Sequence, residues 1–165
     1  MSSREFIQSR DEMEAILHEE TVGYLGLSMD GQPYVVPINY VYVEGRVLMH
    51  CALTGAKLDH IRANPRVCFA VARQTGRVRE HAGQDPCQVD SDSVLCYGRA
   101  RILETPQERQ PVLDVFNRHF DPDAEPISLE RAARCGVIVI DVVEMTGRRE
   151  REQGRIYWRY PFEPS

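Results

Sequence analysis

The sequence predicts a mainly β domain with peripheral helices, a six-stranded antiparallel barrel flanked by short α segments. Three observations carry this. Runs rich in β-branched and aromatic residues recur along the chain, as in PYVVPINYVYV and GVIVIDVVEM. Tight turns join most of them, Asp30-Gly31 and Glu44-Gly45 being the clearest, and Asp-Gly between such runs is a strong hairpin signal. Only three stretches have helical spacing, so the pattern is a meander and not a βαβ series.

The elements follow in order. Ser9-Arg-Asp-Glu12 reads as a capping box, and Met13, Ile16 and Leu17 then recur at i, i+3 and i+4, which predicts a short amphipathic helix ending near Glu20. TVGYLGLSM, PYVVPINYVYV and RVLMH are successive strands. GAKLDHIRAN is a helix with Leu58 and Ile61 inward, stopped at Asn64-Pro65 because proline disfavours the helical state before it. RVCFAVAR returns to a strand. Residues 74–92 form a polar loop, long enough in a small domain to be functional or mobile. SVLCYGRARIL is the next strand, with Gly98 at a bend or bulge. Pro106 to Phe120 reads as a helix that docks Val112, Leu113, Val115 and Phe116 on the barrel, with Pro111 a candidate break. GVIVIDVVEM is the last clear strand.

At 165 residues and 42% hydrophobic content the chain suits one domain, residues 1–165, with an N-terminal helix in 1–20, the barrel in 21–145 and a tail in 146–165. Formal net charge is −5 and the arginines are scattered, which argues against a nucleic-acid partner. No apolar run approaches a membrane span, and the N-terminus lacks the apolar core of a signal peptide, so the expectation is a cytoplasmic protein with no membrane contact. Cysteines 51, 68, 87, 96 and 135 are widely spaced with no C-x-x-C. Reduced thiols and no metal site are expected, with Cys68 and Cys96 packed as small hydrophobes. A barrel this small fills its interior with side chains, so a sizeable ligand must sit outside it or at a subunit junction.

One residue is conspicuous. Of twenty basic residues nineteen are arginine, and the single lysine is Lys57, in HCALTGAKLDHIRANPRV. An ammonium in the first turn of a helix has the wrong sign for the helix dipole unless an anion lies between them. Two readings stand, a solvated lysine and a phosphate ligand helped by the amides near Ala56. Pro37 interrupts an otherwise good strand and cannot donate to a ladder, which marks an edge or bulge where neighbouring backbone groups are free, whether for a ligand or simply at an ordinary edge. His50 closes its strand as either a structural residue or a proton donor, since its ordinary pKa near 6.5 permits proton transfer at neutral pH.

The stretch VVPINYVYVEGRVLMHCALTGAKLDHIRANPRVCFAV, continued by SVLCYGRARI, resembles the flavin-binding split-barrel family that contains pyridoxamine 5′-phosphate oxidase and the 5-nitroimidazole-resistance reductases. His50-Cys-Ala followed by Gly55-x-Lys-Leu58 is most similar to the nitroimidazole-reductase branch. The resemblance covers most of residues 20–105. It implies a six-stranded split β-barrel and FMN held between the two subunits of a homodimer. Val35, Val36, Pro37, Ile38, Asn39 and Tyr40 would lie along the isoalloxazine ring and ribityl chain. His50 and Cys51 would sit beside the flavin, Lys57 with Leu58 at the phosphate, and Ser93 at a further contact.

The function so implied is hydride transfer from flavin N5 to a small organic acceptor such as a nitroaromatic, with His50 as the candidate catalytic residue. Haem or deazaflavin in place of FMN, and a non-enzymatic flavin sensor, are the alternatives. Gly55-Ala56 stand where the oxidase branch has Ser-Arg, so the phosphate grip is lighter. Trp158-Arg-Tyr-Pro161 echoes the oxidase C-terminal signature only loosely, which argues against pyridoxal phosphate synthesis.

Overall fold

The computed structural model describes residues 5–6, 9–74, 91–151 and 154–162. In chain order the elements are β1 (Glu5–Phe6), α1 (Arg10–Glu19), β2 (Val22–Met29), β3 (Gln32–Asn39), β4 (Val41–Val43), β5 (Arg46–Cys51), α2 (Ala56–Ala63), β6 (Arg66–Gln74), β7 (Ser91–Ile102), α3 (Pro106–Phe120), α4 (Leu129–Ala132), β8 (Gly136–Arg151) and β9 (Gly154–Pro161). The class is the expected one, mainly antiparallel β with few helices, although the described residues form nine strands where the sequence suggests six.

Both hairpins form where the turn chemistry places them. Asp30 and Gly31 have φ of 52° and 79°, Glu44 and Gly45 of 48° and 79°, so both central residues take the positive φ that a tight hairpin turn needs. The strands run in the order β1-β9-β8-β7-β6-β2-β3. β8 is where this sheet divides. Its first half pairs with β5, from Arg46↔Asp141 to Cys51↔Gly136. Its second half pairs with β9, from Glu144↔Pro161 to Arg151↔Gly154. β7 runs beside both halves and shifts register at Tyr97/Gly98, the irregularity that Gly98 suggests.

The strands of that layout run on past residue 145, into the segment expected as a C-terminal tail. β8 continues to Arg151 and β9 returns along it. The charged run TGRRER has little intrinsic strand signal. It is extended because β7 and β9 flank it and complete its ladder. The ring of Trp158, Cys87, His81 and the body of the 74–92 loop lie outside what is described.

Alternation along the strands separates two cores. Leu25, Leu27, Val47, Met49, Val67, Phe69, Val71, Val94, Cys96, Ile138 and Ile140 fill the barrel. Leu48, Val137 and Val139 point the other way and meet Leu113 and Phe116 of α3. Cys96 is buried as expected, while Cys68 is only half-buried. α1 closes the barrel with Met13, Ile16 and Leu17. Tyr40 Oη donates to the Leu17 carbonyl at 2.8 Å and Tyr42 Oη to Glu14 Oε1 at 2.7 Å, which locks this helix to the β3–β4 segment.

Ser9 caps α1 by accepting from the Glu12 amide at 3.2 Å, but the reciprocal half of a capping box is not made. Glu12 pairs instead with Arg149 of β8 at 2.7 Å. α3 does have a full box, Thr105 with Glu108. It runs unbroken through Pro111, held by that cap and by burial of Leu113 and Phe116. Val115, expected to dock, is 40% exposed and faces solvent. No helix among the described residues is long and apolar enough to cross a membrane, and no cluster of three or more ligating side chains that suits a metal ion occurs among them.

Candidate functional site

The end of β5, the start of α2 and one face of α3 converge on three of the expected residues. His50 pairs across the sheet with Val137 and Cys51 with Gly136. The strands approach closely here. A Cβ on Gly136 would stand 2.5 Å from the Ala52 carbonyl oxygen and 3.1 Å from Cys51 Sγ, so glycine is the residue that fits. Because side chains alternate along β5, Met49 enters the barrel while His50 stands on the outer face with Leu48. There the His50 ring meets Phe116 edge-on, centroids 4.6 Å apart.

Lys57 stands in the first turn of α2. Gly55, the N-cap residue, offers no side-chain cap, and its φ of 136° belongs to a region that side chains rarely enter. Leu58 and Asp59 amides both turn back to the Gly55 carbonyl, at 2.9 and 3.3 Å. Among the described residues no carboxylate lies within ion-pair distance of the Lys57 ammonium. An uncapped helix start beside an unpaired cation fits a phosphate group.

The charge of Lys57 is felt by both neighbours. Burial lowers the His50 pKa from its ordinary 6.5, and Lys57 lowers it further. Burial raises the Cys51 thiol, Cys135 adds to that, and Lys57 and Arg109 oppose it. Both shifts favour the uncharged forms, a neutral imidazole and a protonated thiol. A protonated thiol is a poor nucleophile, in keeping with Cys51 as a packing residue.

The remaining expected residues fall elsewhere. Val35 to Asn39 lie in β3, which ends the sheet and bonds to β2 alone among the described strands, so Pro37 is indeed an edge proline. Val35 is 63% exposed and Pro37 is exposed, whereas Val36 and Ile38 lean on the core. Tyr40 and Leu58 are in the core, at 0% and 1% exposure. Their side chains are turned away from any outer ligand, because the tyrosine hydroxyl is tied to α1 and Leu58 is on the inward face of α2, so only their backbone is available. Ser93 is on the outer face of β7, paired with Ala72 of β6 and Arg148 of β8.

Sequence reasoning missed Phe116, Gly136 and Cys135 as neighbours of this site. The apolar stripe of α3 showed that Phe116 is buried but carried no signal of where.

The described fold agrees with comparisons to known proteins. A family model for pyridoxamine 5′-phosphate oxidase matches residues 9–149. An uncharacterized protein of Rhizobium meliloti strain 1021 is 33% identical over 67 residues, 40% of this chain and 43% of that relative, so the match spans less than half of its length. Among solved structures, a candidate 5-nitroimidazole antibiotic resistance protein from Bacteroides thetaiotaomicron superposes with a TM-score of 0.75 and 26% identity, covering 86% of this chain and 84% of its own. An FAD-binding protein from Mesorhizobium loti gives 0.63 and 29%, covering 87% and 96%. With a family model spanning residues from α1 to the long strand β8, the chain belongs to the pyridoxamine 5′-phosphate oxidase family.

Proposed function

We propose that this protein is an FMN-dependent oxidoreductase that acts on a small organic acceptor. The observation that carries the reading is Lys57, the chain's only lysine, without an ion-pair partner among the described residues, at an uncapped helix start and close enough to His50 and Cys51 to shift both. Lys57 and the first amides of α2 hold the phosphate. The exposed edge of β3, from Val35 to Asn39, offers free backbone groups for a ring system. Bound there, the flavin supplies two-electron transfer from N5 to an acceptor such as a nitroaromatic. The structural likeness to the Bacteroides candidate resistance protein supports that acceptor class.

His50 enters as a neutral ring. Its imidazole N–H can donate a hydrogen bond to a bound ligand at neutral pH, and Phe116 fixes the ring plane in which that donor lies. An anion beside Lys57 offsets the ammonium and restores basicity to His50, so that the ring takes up and delivers a proton more readily with the phosphate in place.

A second copy of the chain completes the reading. The outer sheet face carries two apolar rows in register, Pro37–Tyr24–Ala70–Leu95 and Val35–Gly26–Cys68–Tyr97. Tyr24, Val35 and Tyr97 are 49%, 63% and 41% exposed, the kind of contiguous patch that marks an interface. We read the protein as a homodimer with the flavin at that junction, working in the cytoplasm, where its cysteines stay reduced.

Mass analysis and absorbance of the purified protein test this. FMN, with flavin bands and turnover of a nitroaromatic by the reduced protein, is the expected result. A Soret band would replace the reading with haem, and a colourless monomer that takes up no flavin would end it. FAD is the second reading, supported by the likeness to the Mesorhizobium protein, and the recovered mass separates the two.

A further inference from the structure

We propose that Arg66 and Arg99, flanked by Arg101 and Arg46, form a binding site for the phosphoryl groups of a small multivalent anion on the outer sheet face. The inference stands apart from the Lys57 site. Arg66 at the start of β6 is the direct cross-strand partner of Arg99 on β7. Arg99 is opposite Asp141 on β8, and Asp141 is opposite Arg46 on β5, so four strands contribute one row. All four side chains are exposed. Three arginines and one carboxylate stand in the row itself, with Arg101 one step along β7, in a chain whose net charge is −5.

The carboxylate is already engaged. Asp141 Oδ2 accepts from Arg101 Nε at 3.1 Å, and Arg46 has a loose pair with Glu44 at 3.8 Å. Arg66 and Arg99 make no side-chain hydrogen bond or ion pair among the described residues. Like charges directly opposite each other in a sheet are unfavourable, and directly opposed strand residues have Cα atoms only about 4.5–5.5 Å apart. Two guanidinium forks on directly opposed positions can converge on an oxyanion with more than one charged oxygen.

The backbone holds the pair in place. The Asn64 side chain accepts from the Arg66 amide at 3.2 Å and donates to the Ser28 carbonyl at 3.1 Å. The Ala100 amide donates to the Pro65 carbonyl at 2.8 Å, just beyond the Arg66–Arg99 pair. On the other side, the register shift at Tyr97/Gly98 leaves Val143 without a partner on β7, so that Arg99 lies opposite Asp141 and not opposite buried Val142. A bulge that re-aims side chains is a recurrent feature beside binding sites. Gly98 makes it possible, since a Cβ there would meet the Asp141 carbonyl oxygen at 2.2 Å.

Titration with inorganic pyrophosphate at low salt tests the proposal, in the Lys57→Ala chain so that the helix start does not contribute. One saturable site per chain is expected. Arg66→Gln and Arg99→Gln should each weaken it about tenfold or more, the factor one charge-assisted hydrogen bond supplies. The Arg66→Lys/Arg99→Lys chain should also lose affinity, because charge is kept but the fork is lost. Asp141→Asn should tighten binding. All these positions are exposed, and melting midpoints show that each variant is folded. Absent saturation, equal affinity in the double Gln chain, or full affinity in the double Lys chain would overturn the site. So would variants that change only self-association, which would make the row a contact for a second copy's carboxylates.

Discussion

The imidazole of His50 stands edge-on to the ring of Phe116, centroids 4.6 Å apart and planes at 85°. A strand-end residue and a helix residue 66 positions later thus share one contact, which orients the His50 imidazole and adds to the burial that, with Lys57, lowers its pKa. Phe116→Ala should remove that cover and leave a cavity in the α3 core, costing about 3–5 kcal/mol of stability. Phe116→Leu should cost less, and the His50 pKa should rise toward 6.5 as its ring is exposed. Urea melts and an NMR titration of the His50 ring measure the two effects separately.

Lys57→Ala should weaken FMN binding by about tenfold or more, since a charge-assisted hydrogen bond contributes about 1.5–3 kcal/mol. The fold should be unaffected, because Lys57 forms no ion pair among the described residues. Fluorescence titration with flavin checks it, and unchanged affinity would remove Lys57 from the phosphate site.

The pH dependence has a definite sign. The folded pKa of His50 is below its ordinary value of 6.5, so the native state resists protonation more than the unfolded chain does. The stability this provides is present above about 6.5 and is lost as pH falls through the folded value. Binding an anion at Lys57 should shift that titration upward by offsetting the ammonium. Following the His50 ring signals with and without inorganic phosphate, which adds charge at Lys57 without covering the ring, would show the direction, and a downward shift would refute the placement.

Asp92 is 1% exposed and lies between two guanidinium groups. Arg149 Nε donates to Asp92 Oδ1 at 2.9 Å, and Arg73 reaches Oδ2 at 3.3 Å. Arg149 continues to Glu12 and Arg73 to Glu19, so the cluster ties β6, β7 and β8 to α1. Asp92→Asn should destabilise by about 3–5 kcal/mol, because two partly buried cations lose their shared carboxylate. Hydrogen exchange should show α1 opening before the barrel. Protection of α1 equal to that of the barrel in the variant would argue against the latch.

Gly98→Ala should destabilise by at least about 1–3 kcal/mol, since its Cβ meets backbone, which cannot swing aside as a side-chain tip would. Thermal melts provide the measurement. A neutral effect would mean that β7 and β8 separate there without cost.

Much of this was present in the order of residues alone. The two hairpins were legible because Asp30-Gly31 and Glu44-Gly45 encode positive φ locally. The start and stop of α2, the edge position of Pro37 and the oddity of Lys57 were legible for the same reason, since each depends on one or two neighbouring residues. What the sequence by itself determined is therefore the class of fold, the inward faces of its elements and one cation at a helix start. Only the tertiary structure decided that Phe116 covers His50, that Asp92 draws Arg73 and Arg149 together, that β9 extends the sheet and that Arg66 faces Arg99. Those relationships are set by strand register and helix docking. A single register shift moves every cross-strand neighbour at once, so no local pattern encodes them.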